Sequence, residues 1–234
     1  MAKSSWISAA PGDRHRWLLV VTLIASAVTV LCVAAIDQPA ARWLAARDTS
    51  AAVWSRGIDL LEYVALITPW RWTGVYVLVA GVLATLAVAR WRRFAPAWML
   101  IALTHVVARN VMMWGKFVTG RLRPTEWLAR RPQGATFWHD DGFSFPSGHV
   151  MLFASLALPI AIIWPRTRAP TFAIVAFAMI ARVLVNAHFI SDVTCGLALS
   201  AAITWTSARL VSRASQVADA SSSSSSPTPP ASPR

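Results

Sequence analysis

Long stretches without charged side chains determine what this chain can fold into. The first runs from Trp17 to Ile36 and contains no Asp, Glu, Lys or Arg. A segment that crosses a bilayer must form a helix, because its backbone groups find no water to bond there. About 20 apolar residues are enough for one crossing. We predict six such spans, at residues 17–36, 72–89, 94–115, 149–164, 170–187 and 192–211.

The composition agrees with a membrane domain that crosses the bilayer several times. Of the 234 residues, 56% are hydrophobic and 14% are charged, whereas about a quarter of a soluble domain is charged. The predicted fold class is therefore all-α, a bundle of six transmembrane helices. A cleaved signal peptide is the alternative for the first span, but its uncharged run is long for a signal core and favours a retained helix.

The positive charge of the chain predicts its orientation in the membrane. The formal net charge is +12, but the cations flank apolar spans and form no basic stripe, which argues against a nucleic-acid partner. The loops Arg90–Arg93 and Pro165–Arg168 contain no acid, which is typical of the cytoplasmic side. Both termini then lie in the cytoplasm. The loops predicted to face the periplasm or exterior are 37–71, 116–148 and 188–191.

Two segments outside the spans have their own composition. Residues 40–67 alternate apolar and charged side chains, which predicts an amphipathic helix in the outer interface between spans one and two. Residues 214–234 are rich in Ser and Pro, which predicts a disordered tail. The predicted organisation is a cytoplasmic segment at 1–16, a six-span domain at 17–213 and this tail.

Three short polar stretches lie at the ends of these spans, on the side that is predicted to face outward. They are Lys116–Pro124, Pro146–His149 and Arg182–Asp192. They contain the groups needed to bind a phosphoryl group, attack it and protonate its leaving oxygen. The sequence therefore predicts one phosphate-handling site at a membrane surface, assembled from distant parts of the chain.

The predicted phosphate-binding residues follow from their chemistry. A guanidinium can donate to two phosphate oxygens at once, so we assign Arg123 and Arg182 to phosphate, and Lys116 adds a point charge. Ser147 and Gly148 open the fourth span, where the unpaired N–H groups of a helix N-terminus favour an anion. This role for Lys116 and Arg123 also explains why a loop predicted to face outward is basic.

The predicted catalytic residues are His188, Asp192 and His149. His188 and Asp192 are four residues apart, so one helical turn would place them side by side. Asp192 would accept the proton of one ring nitrogen and leave the other free to attack phosphorus. His149 would protonate the leaving group. The expected intermediate is a phosphohistidine that water then hydrolyses.

Other ionisable residues have weaker claims. His105 and Arg109 lie within the third span, and intramembrane ionisable groups are functional candidates; Arg109 could equally pair with a neighbouring helix. His139, Asp140 and Asp141 could bind a metal, but a solvated loop is the simpler interpretation because the inferred chemistry needs no metal.

The three stretches resemble the signature of the type-2 phosphatidic acid phosphatase superfamily, which includes the vanadium haloperoxidases. That signature is Lys, six residues, Arg-Pro; then Pro-Ser-Gly-His; then Ser-Arg, five residues, His, three residues, Asp. The chain matches it except at Ala181, where the family usually has serine. The resemblance covers about residues 70–211. It implies a six-span fold and hydrolysis of phosphomonoesters or diphosphates at the outer leaflet, without a metal or other cofactor.

The resemblance also implies a lipid phosphate as the substrate and, in a bacterium, the inner membrane as the location. Undecaprenyl diphosphate is slightly favoured over phosphatidylglycerophosphate, phosphatidate and lipid A phosphate. Three alternatives remain at this point. A phosphotransferase would pass the same intermediate to another lipid, haloperoxidase chemistry is disfavoured by the apolar spans, and a non-enzymatic lipid binder would need no nucleophile with an orienting acid.

Overall fold

The computed structural model describes residues 15–64, 72–130 and 136–224, with the side chains of 219–224 left aside. In these residues the chain is all-α, with nine α-helices and no strand. The helices are α1 (Arg16–Leu31), α2 (Asp37–Ala45), α3 (Ala51–Val64), α4 (Thr73–Ala87), α5 (Ala95–Thr119), α6 (Pro124–Arg130), α7 (Gly148–Ile163), α8 (Arg168–Leu184) and α9 (Ile190–Ser224). The predicted all-α class is confirmed.

Within the part of the chain that the structure describes, three helical stretches are long and apolar enough to cross a membrane: Arg16–Ala45, Ala89–Arg130 and Pro165–Leu184. Two shorter apolar helices, α4 and α7, accompany them. Each of these contains or overlaps one predicted span, and the sixth predicted span lies within α9. The count of six spans stays a prediction. α9 continues to Ser224, past the predicted start of the tail at 214, and residues 225–234 lie outside the described residues.

The helix of the first predicted span, residues 17–36, continues beyond the predicted boundary. A π-helical turn at Cys32–Ile36 joins α1 directly to α2, so Asp37 lies within one continuous helical stretch. Its side chain is buried, and a buried carboxylate requires a partner. Thr29 of α1 shares a 2.8 Å hydrogen bond with Thr194 of α9, which fixes this stretch beside the last helix.

The predicted single helix at 40–67 is two helices, α2 and α3, separated by a turn in which Ser50 has a positive φ of 54°. Its last residues, 65–67, lie outside the described part of the chain. α3 is amphipathic, and its apolar side packs through Ile58 on Phe153 of α7 and Ala181 of α8. The hydroxyl of Thr49 also donates to the carbonyl oxygen of Leu184, at 2.7 Å. Thus α3 is packed against the helices that carry the polar stretches.

The core lies where α1, α5, α7, α8 and α9 meet. Small residues such as Ala154, Ala157 and Ala201 are buried at this centre and let the helices approach closely. The backbone N–H of Ser147 donates to the carbonyl oxygen of Asp192, at 3.0 Å, which joins the start of α7 to the first turn of α9. The end of α5 and the end of α8 lie at the same end of the bundle, so the three polar stretches meet there.

The connection between α5 and α7 folds back closely on itself. Gly120 ends α5 with a left-handed φ of 50°, which breaks the helix between Lys116 and Arg123. The N–H of Ser144 then donates to the carbonyl oxygen of Arg121 at 2.9 Å. Gly142 lies so close to the same backbone that a side chain there would have no room.

Gly142→Ala is expected to destabilise the protein. A Cβ at this position would lie 2.3 Å from the carbonyl oxygen of Arg121 and 2.5 Å from the Cα of Leu122, so two backbone segments would have to separate. Overpacking of this kind costs about 1–3 kcal/mol. Thermal unfolding of the purified protein in detergent measures the effect. The control is Asp141→Ala, which removes an exposed ion pair with Arg130 and should change little; equal unfolding temperatures would contradict the expectation.

Candidate active site

A cavity of about 420 Å³ lies at the end of the bundle where the three polar stretches meet. Residues from each stretch line it, together with residues of α3 and α5. The predicted site residues among them are Lys116, Arg123, Gly148, His149 and His188. The structure therefore brings these five together.

The other three predicted site residues lie just behind the cavity wall. Asp192 contacts His188. The hydroxyl of Ser147 is buried at the start of α7 and has no hydrogen-bond partner. The Nε of Arg182 is likewise buried without a partner, and the charge of Arg182 acts on both His149 and His188. Unpaired donors next to a cationic cavity are what an anionic group with several acceptor oxygens would satisfy.

The turn before α9 sets the position of His188. α8 ends at Leu184, Asn186 adopts a positive φ of 52°, and the N–H of His188 donates to the carbonyl oxygen of Arg182 at 3.2 Å. The imidazole is buried, and its Nδ1 lies 3.3 Å from the Oδ2 of Asp192. Nδ1 is thus engaged, which leaves Nε2 as the nitrogen available to a substrate.

Asp192 is itself held from several directions. The same Oδ2 accepts hydrogen bonds from the N–H of Phe189 at 2.8 Å and from the hydroxyl of Ser144 at 2.5 Å. The Ser144 hydroxyl also lies 3.4 Å from the Nδ1 of His188. Each bond restricts the carboxylate, so the orientation of the His188 ring is well defined.

Burial lowers the pKa of His188 to about 4, although the carboxylate of Asp192 opposes this shift. The positive charges of Lys116 and Arg182 act in the same direction as burial. The imidazole is therefore neutral at pH 7 and keeps the lone pair that a nucleophile needs.

Arg121, which was not predicted from the sequence, lies at the centre of the buried polar network. Its Nη1 donates to Asp192 at 2.7 Å and to Ser191 at 2.6 Å, and its Nη2 donates to Asp37 at 2.6 Å. The side chains of Arg121, Asp37 and Asp192 are all fully buried. The available signal was Asp37, a lone acid at the end of an uncharged helix, which needs a cation as its partner.

Aromatic rings complete the environment of this guanidinium. Its carbon lies 4.3 Å from the ring centroid of Phe137 and 4.4 Å from those of Trp138 and Phe189. Arginine over aromatic faces is favourable, and the effect is larger when water is excluded. The rings therefore keep water away from the ion pairs while also stabilising the cation.

Glu62 was also missed, because nothing in its local sequence connects it with the polar stretches. It lies on α3 and lines the cavity, and its Oε1 is 2.6 Å from the Nε2 of His149. The hydrogen bond with His149 lowers the pKa of Glu62, so this acid is ionised at pH 7. A negative charge thus lies in a cavity whose other charged lining residues are Arg109, Lys116 and Arg123.

The two secondary candidates are separated by the structure. Arg109 lines the cavity, and its guanidinium lies 4.1 Å from the ring of Trp72. His105 is buried among the helices, where its Nδ1 lies 2.9 Å from the hydroxyl of Ser155. It is not among the residues that line the cavity.

Asp140 and Asp141, which precede the second polar stretch, lie close to Arg130. Arg130 forms a hydrogen bond with Asp141 and lies 3.7 Å from Asp140. Among the described residues, no group of three or more His, Cys, Asp or Glu side chains is arranged to hold a metal ion.

Comparison with known proteins places this site in a family. The model of the PAP2 superfamily matches residues 95–216, which include all three polar stretches. The chain belongs to the PAP2 superfamily. This confirms the resemblance to the type-2 phosphatidic acid phosphatases, and it places α1 to α4, with Asp37 and Glu62, outside the matched segment.

Individual relatives within PAP2 match over shorter lengths. Phosphatidylglycerophosphatase B from Escherichia coli strain K12, E. coli O157:H7 and Shigella flexneri is in each case 38% identical over 80 residues. These matches cover 30% of this chain and 32% of each relative, so they span about a third of the curated proteins. The crystal structure of a transmembrane PAP2-type phosphatidylglycerolphosphate phosphatase from Bacillus subtilis is 20% identical, with a TM-score of 0.48 over 87% of this chain and 96% of that one.

Arg121→Met is expected to destabilise the protein strongly. The change leaves Asp37 and Asp192 as buried carboxylates without a cation, and breaking one partner of a buried ion pair costs about 3–5 kcal/mol. Chemical unfolding in detergent measures the loss. The double variant Arg121→Met with Asp37→Asn removes one of the stranded charges and should recover part of the stability. A double variant no more stable than Arg121→Met alone would show that the pairing with Asp37 contributes nothing.

Proposed function

We propose that this chain is an integral membrane phosphatase that hydrolyses a phosphate monoester or a diphosphate on a lipid. The observation that carries the proposal is the position of His188, whose imidazole lies at the wall of a cationic cavity with Nδ1 against Asp192. A neutral histidine with an orienting acid is a nucleophile, which a protein that only binds lipid would not need. Membership of the PAP2 superfamily supports the same chemistry.

The cavity offers a binding site for the phosphoryl group. Lys116 and Arg123 line it, and Arg182 lies behind its wall with an unpaired Nε. Ser147 and Gly148 present the N-terminus of α7, and a Cβ at Gly148 would come within 3.0 Å of Met112 and within 3.9 Å of the Nζ of Lys116. Positive charges fixed around a transferring phosphoryl group stabilise its transition state, and this supplies most of the rate in such reactions.

The proposed reaction has two steps. First, Nε2 of His188 attacks phosphorus, the bond to the leaving oxygen breaks, and His149 donates a proton to that oxygen. Asp192 accepts the hydrogen bond from Nδ1 and stabilises the positive charge that develops on the ring. Second, water attacks the phosphohistidine, His149 takes a proton from the water, and phosphate leaves with His188 restored.

Two lipids are the substrates to compare. Undecaprenyl diphosphate is favoured by the family resemblance, and phosphatidylglycerophosphate is favoured by the name of the relatives, phosphatidylglycerophosphatase B. Both present a terminal phosphate on a long apolar group. A phosphate-release assay with each lipid, and with phosphatidate and lipid A phosphate, in detergent or vesicles would rank them.

We further propose that the site faces the periplasm of a bacterial inner membrane and that both termini are cytoplasmic. The basic connections around Arg92 and Arg166 follow α4 and α7, at the end of the bundle opposite the cavity. An excess of Lys and Arg in short loops marks the cytoplasmic side. The variants Arg92→Cys and Asp141→Cys, treated with a membrane-impermeant thiol reagent in intact cells, test this orientation. Labelling of Arg92→Cys alone would show that the orientation is the opposite one.

His188→Ala is expected to abolish phosphate release, because the variant lacks the ring nitrogen that attacks phosphorus. Substrate labelled in the transferred phosphate should label the wild-type protein on quenching, with the acid lability and base stability of a phosphoramidate, and should not label the variant. His139→Ala, at an exposed position, is the control. Full activity of His188→Ala would refute the assignment.

Activity is expected to persist to unusually low pH for a histidine nucleophile. The pKa of His188 is about 4, so the ring is neutral above that pH and loses its lone pair to a proton below it. The acid limb of kcat/KM, corrected for ionisation of the substrate, should therefore have its midpoint near this value. A midpoint near about 6.5, the ordinary pKa of histidine, would show that His188 is not desolvated in the working enzyme.

A further inference from the structure

The contact between Glu62 and His149 joins two parts of the chain that the family signature does not connect. Glu62 lies on α3, outside the matched segment 95–216, whereas His149 lies in the first turn of α7. Their side chains meet at 2.6 Å, each is 26% exposed, and both line the cavity. The signature residues therefore do not account for all of the chemistry at this cavity.

The packing of α3 against α7 and α8 determines the position of Glu62. One turn before it, Ile58 is 2% exposed and packs on Phe153, a residue of the same helix as His149. Gly57 lets Phe177 of α8 approach so closely that a Cβ would lie 2.4 Å from its ring. These contacts hold α3 against α7 and α8 and present the carboxylate to His149 in one place.

The charges around His149 show what a carboxylate does there. Burial is the largest effect that disfavours a positive charge on the imidazole, and Arg182 of α8 and Lys116 of α5 act in the same direction. The N-terminus of α7 acts in the same direction. Arg109 and Arg123 add positive charge to the cavity wall. Without an opposing negative charge, the imidazole would be held neutral, and its one N–H would be a weak acid.

Glu62 is the opposing charge. Of the described residues that line the cavity, it alone is an acid, and its hydrogen bond to His149 keeps it ionised. Asp59 lies about one turn earlier on α3 and is exposed, and its charge acts on Arg182. The negative charge that contacts the imidazole directly is therefore that of Glu62.

We propose that Glu62 is a positioning residue of the phosphatase site, whose carboxylate orients His149 and favours its protonated form, so that His149 can act as the general acid. The proposal rests on the phosphatase activity proposed above. It assigns a role in the reaction to α3, a helix that lies before the matched segment.

The proton has a defined route. Nε2 of His149 donates to Glu62, so Nδ1 supplies the proton that passes to the leaving oxygen as the bond from phosphorus to that oxygen breaks. The electrons of that bond stay on the leaving oxygen, and the new bond forms to Nε2 of His188. In the second step water attacks phosphorus, the bond from phosphorus to Nε2 of His188 breaks, and a proton of the water returns to Nδ1 of His149. Glu62 stays ionised throughout.

The test compares Glu62→Gln with Asp59→Asn in the purified full-length protein. Each removes one negative charge from α3, but only the first removes it from contact with His149. For Glu62→Gln we expect kcat to fall about tenfold, a part of what general acid catalysis contributes. KM should stay the same or fall, because a negative charge leaves a cavity that binds an anion. Asp59→Asn should keep the wild-type kcat.

The pH profile separates positioning from a purely structural role. Without the carboxylate the imidazolium loses its proton more easily, so the alkaline limb of kcat should move to lower pH by about one unit in Glu62→Gln. It should not move in Asp59→Asn. Glu62→Asp keeps the charge and should keep the alkaline limb in place with an intermediate kcat, which preserves the test if Glu62→Gln unfolds in detergent.

Two results would overturn the proposal. If Glu62→Gln has the wild-type kcat and an unmoved alkaline limb, the carboxylate has no part in proton transfer. If it is faster than wild type with a lower KM and an unmoved limb, the carboxylate only competes with phosphate for the cavity. Failure of the phosphatase assignment looks different: wild type, Glu62→Gln and Asp59→Asn would all release no phosphate from any of the four lipids.

Discussion

The buried guanidinium of Arg121 is the interaction on which the arrangement of this site depends. It bridges Asp37 on the first helical stretch and Asp192 on the last helix, and none of the three side chains is exposed to solvent. Removing such ions from water costs several kcal/mol each, so they persist only where geometry and additional hydrogen bonds compensate. Ser191 and Ser144 supply those bonds. The position of the orienting acid, and with it that of His188, is therefore determined by the whole bundle.

Glu62 is the second acid of this site, and it lines the same cavity. Asp192 contacts the proposed nucleophile from behind, and Glu62 contacts the proposed general acid from α3. Two histidines, each beside its own carboxylate, thus face one space lined by cations. Their hydrogen bonds separate the proposed roles, since Nδ1 of His188 lies against Asp192 and leaves Nε2 free, whereas Nε2 of His149 lies against Glu62.

The sequence predicted much of this, and its failures have physical causes. The signature residues are identifiable because their types and spacing reflect phosphate chemistry, and the helical spans are identifiable because a bilayer permits little else. Arg121 and Asp37 were missed because their significance lies in a contact between residues far apart in the chain. Glu62 was missed because an acid on an amphipathic helix looks like a solvated face until the packing of Ile58 shows where that helix lies.

The continuous passage from α1 through the π-helical turn into α2 has a consequence for the modularity of this protein. This stretch lies outside the matched segment and places Asp37 beside Arg121. Helix α3 also lies outside that segment and places Glu62 beside His149. A polypeptide trimmed to residues 95–216 would retain every residue of the signature, yet Arg121 would lose one of its two buried carboxylates and His149 would lose its acid. The family signature marks the proposed reaction centre, but the buried polar contacts around it extend into the helices upstream.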